Sequence, residues 1–219
     1  MATINDLVSR VKYRLSRQQD SSIDARIVAE LAAAQESFEG GTTLPWFLNV
    51  QLPYEVSNAH DNFSVLNFPD FLRIAEDDYA LRVEDLTQTD ETLLKLSRQD
   101  TYEKLIGYLP GTADATTLPV AYCILGNTIH IRKKQVVTRN YYLSYFRKDQ
   151  TIPAANVSTL WSTYVPDLLA AEAGIQVAQY LRDTAAIKFF MGLRSVKFAE
   201  LVRRNQAVQD ADQNYVMGE

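Results

Sequence analysis

Cysteine is nearly absent: Cys123 is the single one in 219 residues. One thiol cannot close an internal disulfide, so a disulfide-stapled scaffold is excluded and the composition suits a reducing compartment. Histidine is almost as scarce, and His60 and His130 stand apart, without Cys, Asp or Glu at metal-ligand spacing. Long apolar runs are missing, since no stretch approaches the ~18 residues needed to cross a bilayer, and the N-terminal segment is polar and amphipathic rather than leader-like. Excess positive charge is lacking too. A net charge of −5 means that the overall field does not draw in nucleic acid. What is present is an ordinary globular balance, 47% hydrophobic and 22% charged, on a chain long enough for one good core or one domain with an insertion. The expectation is a soluble intracellular protein without a membrane partner.

The apolar spacing orders the chain. Thr3 and Asp6 have the form of a capping box, and Ile4, Leu7, Val8, Val11 and Leu15 follow at helical spacing. Asp20, Ser21 and Ser22 are candidate caps for a second helix with the stripe Ile23, Ile27, Leu31, Ala34 and Phe38, ended by Gly40 and Gly41. Trp46, Leu48, Val50 and Leu52 then alternate at period two between Pro45 and Pro53, which predicts a strand near a sheet edge. Short strands are predicted at 71–74, 81–84, 119–125, 128–132 and 136–146, with Gly126-Asn127 as a hairpin turn. A short helix interrupts them near 100–107, before a turn at Pro110-Gly111.

Helix returns from Pro153, and Pro166 suits a first turn. Leu168, Ala171, Ile175, Ala178 and Leu181 share one face, while Ala170, Ala173 and Gly174 permit close helix approach. Arg182-Asp183-Thr184 is a break with a fresh cap before a last helix of roughly 184–212. Helices, then strands, then helices, with no βαβ alternation, predict an α+β protein. Its helical bundle is formed by residues 1–41 and 153–219, with an antiparallel β module, 42–152, inserted between them. Residues 205–219 are expected to be a flexible tail that orders on docking.

The last helix carries two apolar stripes: Ala186, Phe189, Leu193 and Val196 on one face, and Ile187, Met191, Phe198, Leu201 and Val202 roughly opposite. A helix covering one side of a bundle needs a single stripe. Either it lies between helices of its own bundle or one stripe awaits another subunit, and Phe189, Phe190, Leu193, Phe198, Leu201 and Val202 are the candidate interface.

No catalytic constellation is recognisable. Cys123 sits in an apolar strand, where an inert buried thiol is the default. Gly107 to Gly111 lacks the length and following Lys-Ser/Thr of a phosphate loop. Asp210 and Asp212 imitate the start of a calcium loop, but Tyr215 takes the glycine position. The acidic runs at 76–78, 84–85 and 90–91 are turn-like and solvated. Glu172 shares a face with Leu168 and Ile175, and is read as an ion pair with an arginine of the N-terminal helices. Neither an enzyme nor a cofactor site is expected. One binding signal remains, because Arg132, Lys133, Lys134, Arg139, Arg147 and Lys148 interleave with Tyr141, Tyr142, Tyr145 and Phe146. This hairpin, 130–148, is either a nucleic-acid surface with stacking aromatics or a sheet with aromatics inward and charges outward. Arg132, Lys133 and Lys134 are also candidate contacts for an acidic protein partner.

A resemblance enters with Tyr145-Phe-Arg, Ile152-Pro153, Thr159-Leu-Trp161, Tyr164-Val-Pro166-Asp167-Leu168-Leu169, Ala171-Glu172-Ala173 and Tyr180-Leu181-Arg182-Asp183, together with Leu44-Pro45-Trp46-Phe47. This run resembles the head-to-tail adaptor, or connector, proteins of tailed bacteriophages, particularly the short-tailed type. The family usually shows Tyr-Pro-Asp, and here Val165 intervenes. The resemblance implies a structural virion protein of the head–tail neck, assembled in the host cytoplasm. Its subunits form a twelvefold ring below the portal protein, receive a tail or nozzle protein, and line a channel through which DNA passes without specific binding. Trp46, Phe47 and Trp161 are expected to anchor the fold, with Trp46 and Phe47 fixing the first strand of the β module against the helices.

Overall fold

A computed structural model describes residues 2–57, 59–75, 80–84, 93–107, 121–132, 138–152 and 157–216, with side chains through 208. The chain divides into two units, Met1–Leu48 with Lys148–Glu219, and Asn49–Arg147. Residues 42–48 and 148–152, which the sequence pattern assigned to the β module, therefore belong with the helices.

Helix α1 (Ile4–Arg14) starts where Thr3 Oγ1 accepts the Asp6 N–H at 3.2 Å and Asp6 Oδ2 accepts the Thr3 N–H at 2.8 Å. These bonds also hold the Asp6 carboxyl below its ordinary value. The helix ends at Ser16, whose φ of 54° lets the Arg17 N–H reach the Lys12 carbonyl at 2.9 Å. Asp20 caps a single 3₁₀ turn, Ser21–Ile23, that leads into α2 (Asp24–Glu39). The predicted stripe is buried: Ile23, Ile27, Leu31, Ala34 and Phe38. Gly40 ends α2 with right-handed backbone (φ −77°), and a Cβ on Gly41 would sit tightly, 3.1 Å from the Phe38 carbonyl oxygen.

Trp46–Leu48 is a 3₁₀ turn, not the predicted strand. Phe47 and Leu48 are adjacent and both buried. A strand with one buried face cannot turn two consecutive side chains inward, whereas a tight turn can. Strand β1 (Asn49–Val56) begins only afterwards.

The β unit contains β1, β2 (Asn62–Ser64), β3 (Phe71–Ile74), β4 (Leu81–Glu84), β5 (Leu93–Lys95), β6 (Ser97–Gln99), α3 (Tyr102–Gly107), β7 (Ala121–Leu125), β8 (Thr128–Ile131) and β9 (Arg139–Arg147). One sheet runs β1-β9-β4-β5, with β3 also on β9; the other runs β2-β8-β7-β6. β1 pairs along the whole of β9, from Asn49 opposite Phe146 to Val56 opposite Arg139. Its free side explains how Pro53 is tolerated inside a strand. Gly126 takes φ +57° in the β7–β8 turn, as its dipeptide predicts. The module is not wholly antiparallel, since β6 and β7 pair in parallel. Parallel neighbours require a crossover connection, and α3 lies between the two strands in the chain. β2, β5 and β6, three residues each, are too short for periodicity to reveal. Residues from both sheets share one core, including Phe63, Val83, Tyr122, Ile129, Tyr141, Leu143 and Tyr145.

The helical unit resumes with α4 (Leu160–Tyr164), α5 (Pro166–Tyr180) and α6 (Thr184–Val216). Val165 ends α4 and opens α5 with extended φ (−137°), so the residue that departs from the family pattern is the joint between two helices. The stretch 205–216, expected to be a tail, continues α6. Among the described residues no helix is long and apolar enough to cross a membrane. The predictions at Pro110-Gly111, 119–120, 136–137 and Pro153, the acids at 76–78, 85 and 90–91, and Lys133 and Lys134 lie outside the described residues.

Candidate interaction surface

The α5–α6 joint is built as its sequence indicates. Arg182 adopts φ 57°, the Asp183 N–H reaches the Ala178 carbonyl at 2.9 Å, and Asp183 Oδ1 accepts the Ala186 N–H at 2.9 Å. The chain reverses there, and α6 packs on the small residues of α5. Gly174 is a point of close approach, because a Cβ on it would fall 2.5 Å from the Phe190 ring.

That approach decides which face of α6 is inside. Ala186, Phe190, Leu201 and Asn205 are buried, with Ile187, Leu193, Lys197 and Val202 partly so. The buried seam runs between the two predicted stripes and takes members from each. Phe190 is 1% exposed and Leu201 is similarly buried, so two of the six candidate interface residues belong to the unit's own core. Phe189 is partly exposed, yet its ring is covered by the Arg14 guanidinium, 5.0 Å from its centroid, and by the edge of Phe190. Leu193 and Val202 line the border of the seam, and Phe198 stays exposed.

Val196, 64% exposed, lies on one flank; Met191, 56% exposed, lies with Phe198 on the other. Between them, opposite the seam, runs an exposed line of small side chains that the sequence reading missed: Gly192, Ser195 and Ala199. A Cβ on Gly192 would meet nothing within 4 Å. The signal was legible as small residues at i, i+3 and i+7, but only the position of Phe190 shows that they face outward. The charge here is positive although the chain is acidic, since residues 184–208 carry Lys188, Arg194, Lys197, Arg203 and Arg204 against Glu200. Glu200 binds Lys197 at 3.0 Å and Arg204 at 2.9 Å. Arg194 pairs with Glu172. Glu172 is thus an ion-pair residue, but its partner comes from α6, not from the N-terminal helices. Lys188 and Arg203 are exposed and have no ion-pair partner among the described residues.

The segments that carry the family resemblance meet in space. Phe47 stacks on Tyr164 (centroids 5.0 Å, 15°) and meets Trp161 edge-on at 5.4 Å, while Phe38 stacks on Trp161 at 5.4 Å. Trp46, half-buried, packs edge-on against Tyr164 at 5.1 Å. All three anchors therefore lie within the helical unit. Asn205 locks the segment: its Nδ2 donates to the Leu44 carbonyl at 3.1 Å, and its Oδ1 accepts the Trp46 N–H at 3.0 Å.

Two of the four rings of the basic aromatic hairpin point inward, while Tyr142 and Phe146 are half-buried. Tyr141 and Tyr145 are fully buried, and burial raises both phenols above their ordinary value. Tyr145 also donates to Asp70 at 2.6 Å. Arg139 donates to the Glu84 carbonyl at 3.0 Å, and Asn140 to the Glu84 carboxylate at 3.1 Å. Two of the four proposed stacking rings are thereby unavailable to a nucleotide. Arg132 is partly buried at the end of β8.

Among the described residues, the two histidines and the cysteine stand apart. His60 Nδ1 bonds Ser57 Oγ at 2.7 Å, and His130 meets Tyr102 edge-on at 5.2 Å. Cys123 is buried and its thiol is pushed up by that burial, which disfavours the nucleophilic thiolate. Among the described residues no three His, Cys, Asp or Glu side chains gather as metal ligands. A surface groove of about 770 Å³ is lined by Asn5, Ser9, Arg10, Lys12, Tyr13 and Arg14. Its cations are engaged, Arg10 with Asp167 at 2.7 Å, Lys12 with Asp24 at 2.8 Å, and Arg14 over the Phe189 ring at 5.0 Å. No family model matches this chain, and no curated protein matches it.

Proposed function

We propose that this chain is a structural adaptor that acts through protein–protein contacts, as a ring subunit of the head-to-tail connector of a tailed phage. The observation that carries the reading is the outward face of α6. A ridge of Gly192, Ser195 and Ala199 between Val196 on one side and Met191 and Phe198 on the other admits another helix closely, with apolar side chains gripping its flanks. Lys188 and Arg203 beside that ridge favour an acidic partner surface. Support also comes from the resemblance, whose residues at 44–47 and 159–166 form one aromatic cluster in the helical unit. In this reading the ring sits in the virion neck, against the portal protein above and a tail protein below. A net charge of −5 keeps the channel wall from holding DNA by its phosphates.

Co-sedimentation with the portal ring of the same phage, followed by negative-stain imaging, tests the proposal. A new layer beneath the portal is the expected result, and Ser195→Arg should remove that layer while leaving the subunit's circular dichroism and melting unchanged. Bare portals, with the wild-type chain left in the supernatant, would sink the adaptor reading.

A further inference from the structure

Glu39 closes α2 and is only 5% exposed. Its Oε1 accepts three N–H groups: Gln35 Nε2 at 2.9 Å, Trp161 Nε1 at 3.0 Å and the Asp149 backbone at 3.4 Å. Its Oε2 is buried without a donor, and so is Gln35 Oε1 one helical turn earlier. The Gln35 amide cannot simply be turned round. Its Nε2 also donates to the Gln150 carbonyl at 3.1 Å, so both of its neighbours are acceptors and the nitrogen must face them. Two head groups already in contact thus each carry an unserved acceptor, and a single proton would serve both.

We infer that Glu39 is held as the neutral acid, its Oε2 hydroxyl donating to Gln35 Oε1, and that this acid–amide ring is a proton-dependent latch on the segment by which the chain re-enters the helical unit. The surroundings favour the neutral form. From the re-entry segment Glu39 faces Asp149, itself buried, whose Oδ1 accepts the Gln150 N–H at 2.8 Å and whose Oδ2 accepts the Trp161 N–H at 3.2 Å. Among the described residues, α4 bonds it through the indole N–H of Trp161 and α2 through Gln35. Lys148 is exposed, and among the described residues neither carboxyl has an ion-pair partner. Burial first, then the neighbouring Asp149 charge, raise the Glu39 carboxyl above its ordinary value, against the bonds from Gln35, Trp161 and the Asp149 N–H. The folded chain therefore holds this proton more tightly than the unfolded chain. The latch's contribution is complete below the ordinary carboxyl value and is lost as pH rises through the raised one.

Both tryptophans lie in the helical unit, so their fluorescence follows its unfolding in urea. Between pH ~5 and pH ~8 the wild-type midpoint should fall as pH rises. Glu39→Gln should abolish that fall, because an amide supplies the same donor and acceptor without titrating. An unchanged slope in Glu39→Gln, a wild-type midpoint constant over the range, or a Glu39→Gln chain that cannot fold at pH ~5 would each overturn the latch. Infrared spectroscopy adds a readout that needs no variant to fold. A protonated carboxylic C=O stretch should persist above the ordinary carboxyl range, where exposed carboxyls are ionised. Its absence would mean a charged Glu39 bridged by water, and would overturn the proposal.

Discussion

The helical unit and the β unit solve the same problem differently. The first is assembled from two distant pieces of chain, 1–48 and 148–219; the second is one continuous stretch, 49–147. Directional bonds between the pieces recur in the helical unit. Ile4 donates to the Val157 carbonyl at 3.2 Å, Arg10 pairs with Asp167, Trp161 donates to Glu39, and Asn205 clasps both Leu44 and Trp46. In the β unit register comes from the ladders themselves, and the core is filled by rings: Tyr54 on Phe63 at 5.1 Å, and Phe68 against Tyr145 at 5.2 Å. Apolar helix faces can slide along one another at little cost, so a bundle closed around an insertion needs polar pins. Strands paired residue by residue do not.

Substitutions in each unit can break or sharpen this contrast. Phe190→Ala should have the largest effect, lowering helical-unit stability by about 3–5 kcal/mol because a fully buried ring leaves a cavity over Gly174. Tryptophan-detected urea unfolding measures it. Hydrogen exchange at β9 amides that keeps its protection would show two separately cooperative units, and a shared loss would show one. Asn205→Ala comes next, at about 1–3 kcal/mol, because it strips partners from the Leu44 carbonyl and the Trp46 N–H at once. A loss under ~0.5 kcal/mol would mean that the segment is held by its aromatic packing, not by the pin. Tyr145→Phe should be smallest, about 1 kcal/mol, since it removes the bond to Asp70 but keeps the ring in the β core. An effect as large as that of Asn205→Ala would erase the distinction between the units.

Helix ends were legible because their signals are local. Thr3 and Asp6, Asp20, Pro166 and Asp183 each act on backbone groups within three residues, so residue type and spacing suffice. The Gly126-Asn127 turn was legible for the same reason. Trp46 lies in a turn and not a strand; alternation of apolar residues is shared by a strand and by a tight turn that buries neighbours. The parallel β6–β7 pair left no trace, since three residues hold too little pattern and a crossover has no residue signature.

For the candidate surface, the sequence by itself determined that α6 carries more apolar residues than one buried face uses, and that small residues recur on α5 and α6. Only the tertiary structure decided how those residues are divided. Gly174 leaves room for one ring, Phe190 fills it, and the helix is thereby rotated so that its burial falls between the two stripes. Periodicity measures angles around a single helix. Which angle is inside is set by the shape of the neighbour, and a contact between residues 174 and 190 exists only once the chain has turned back on itself at Arg182.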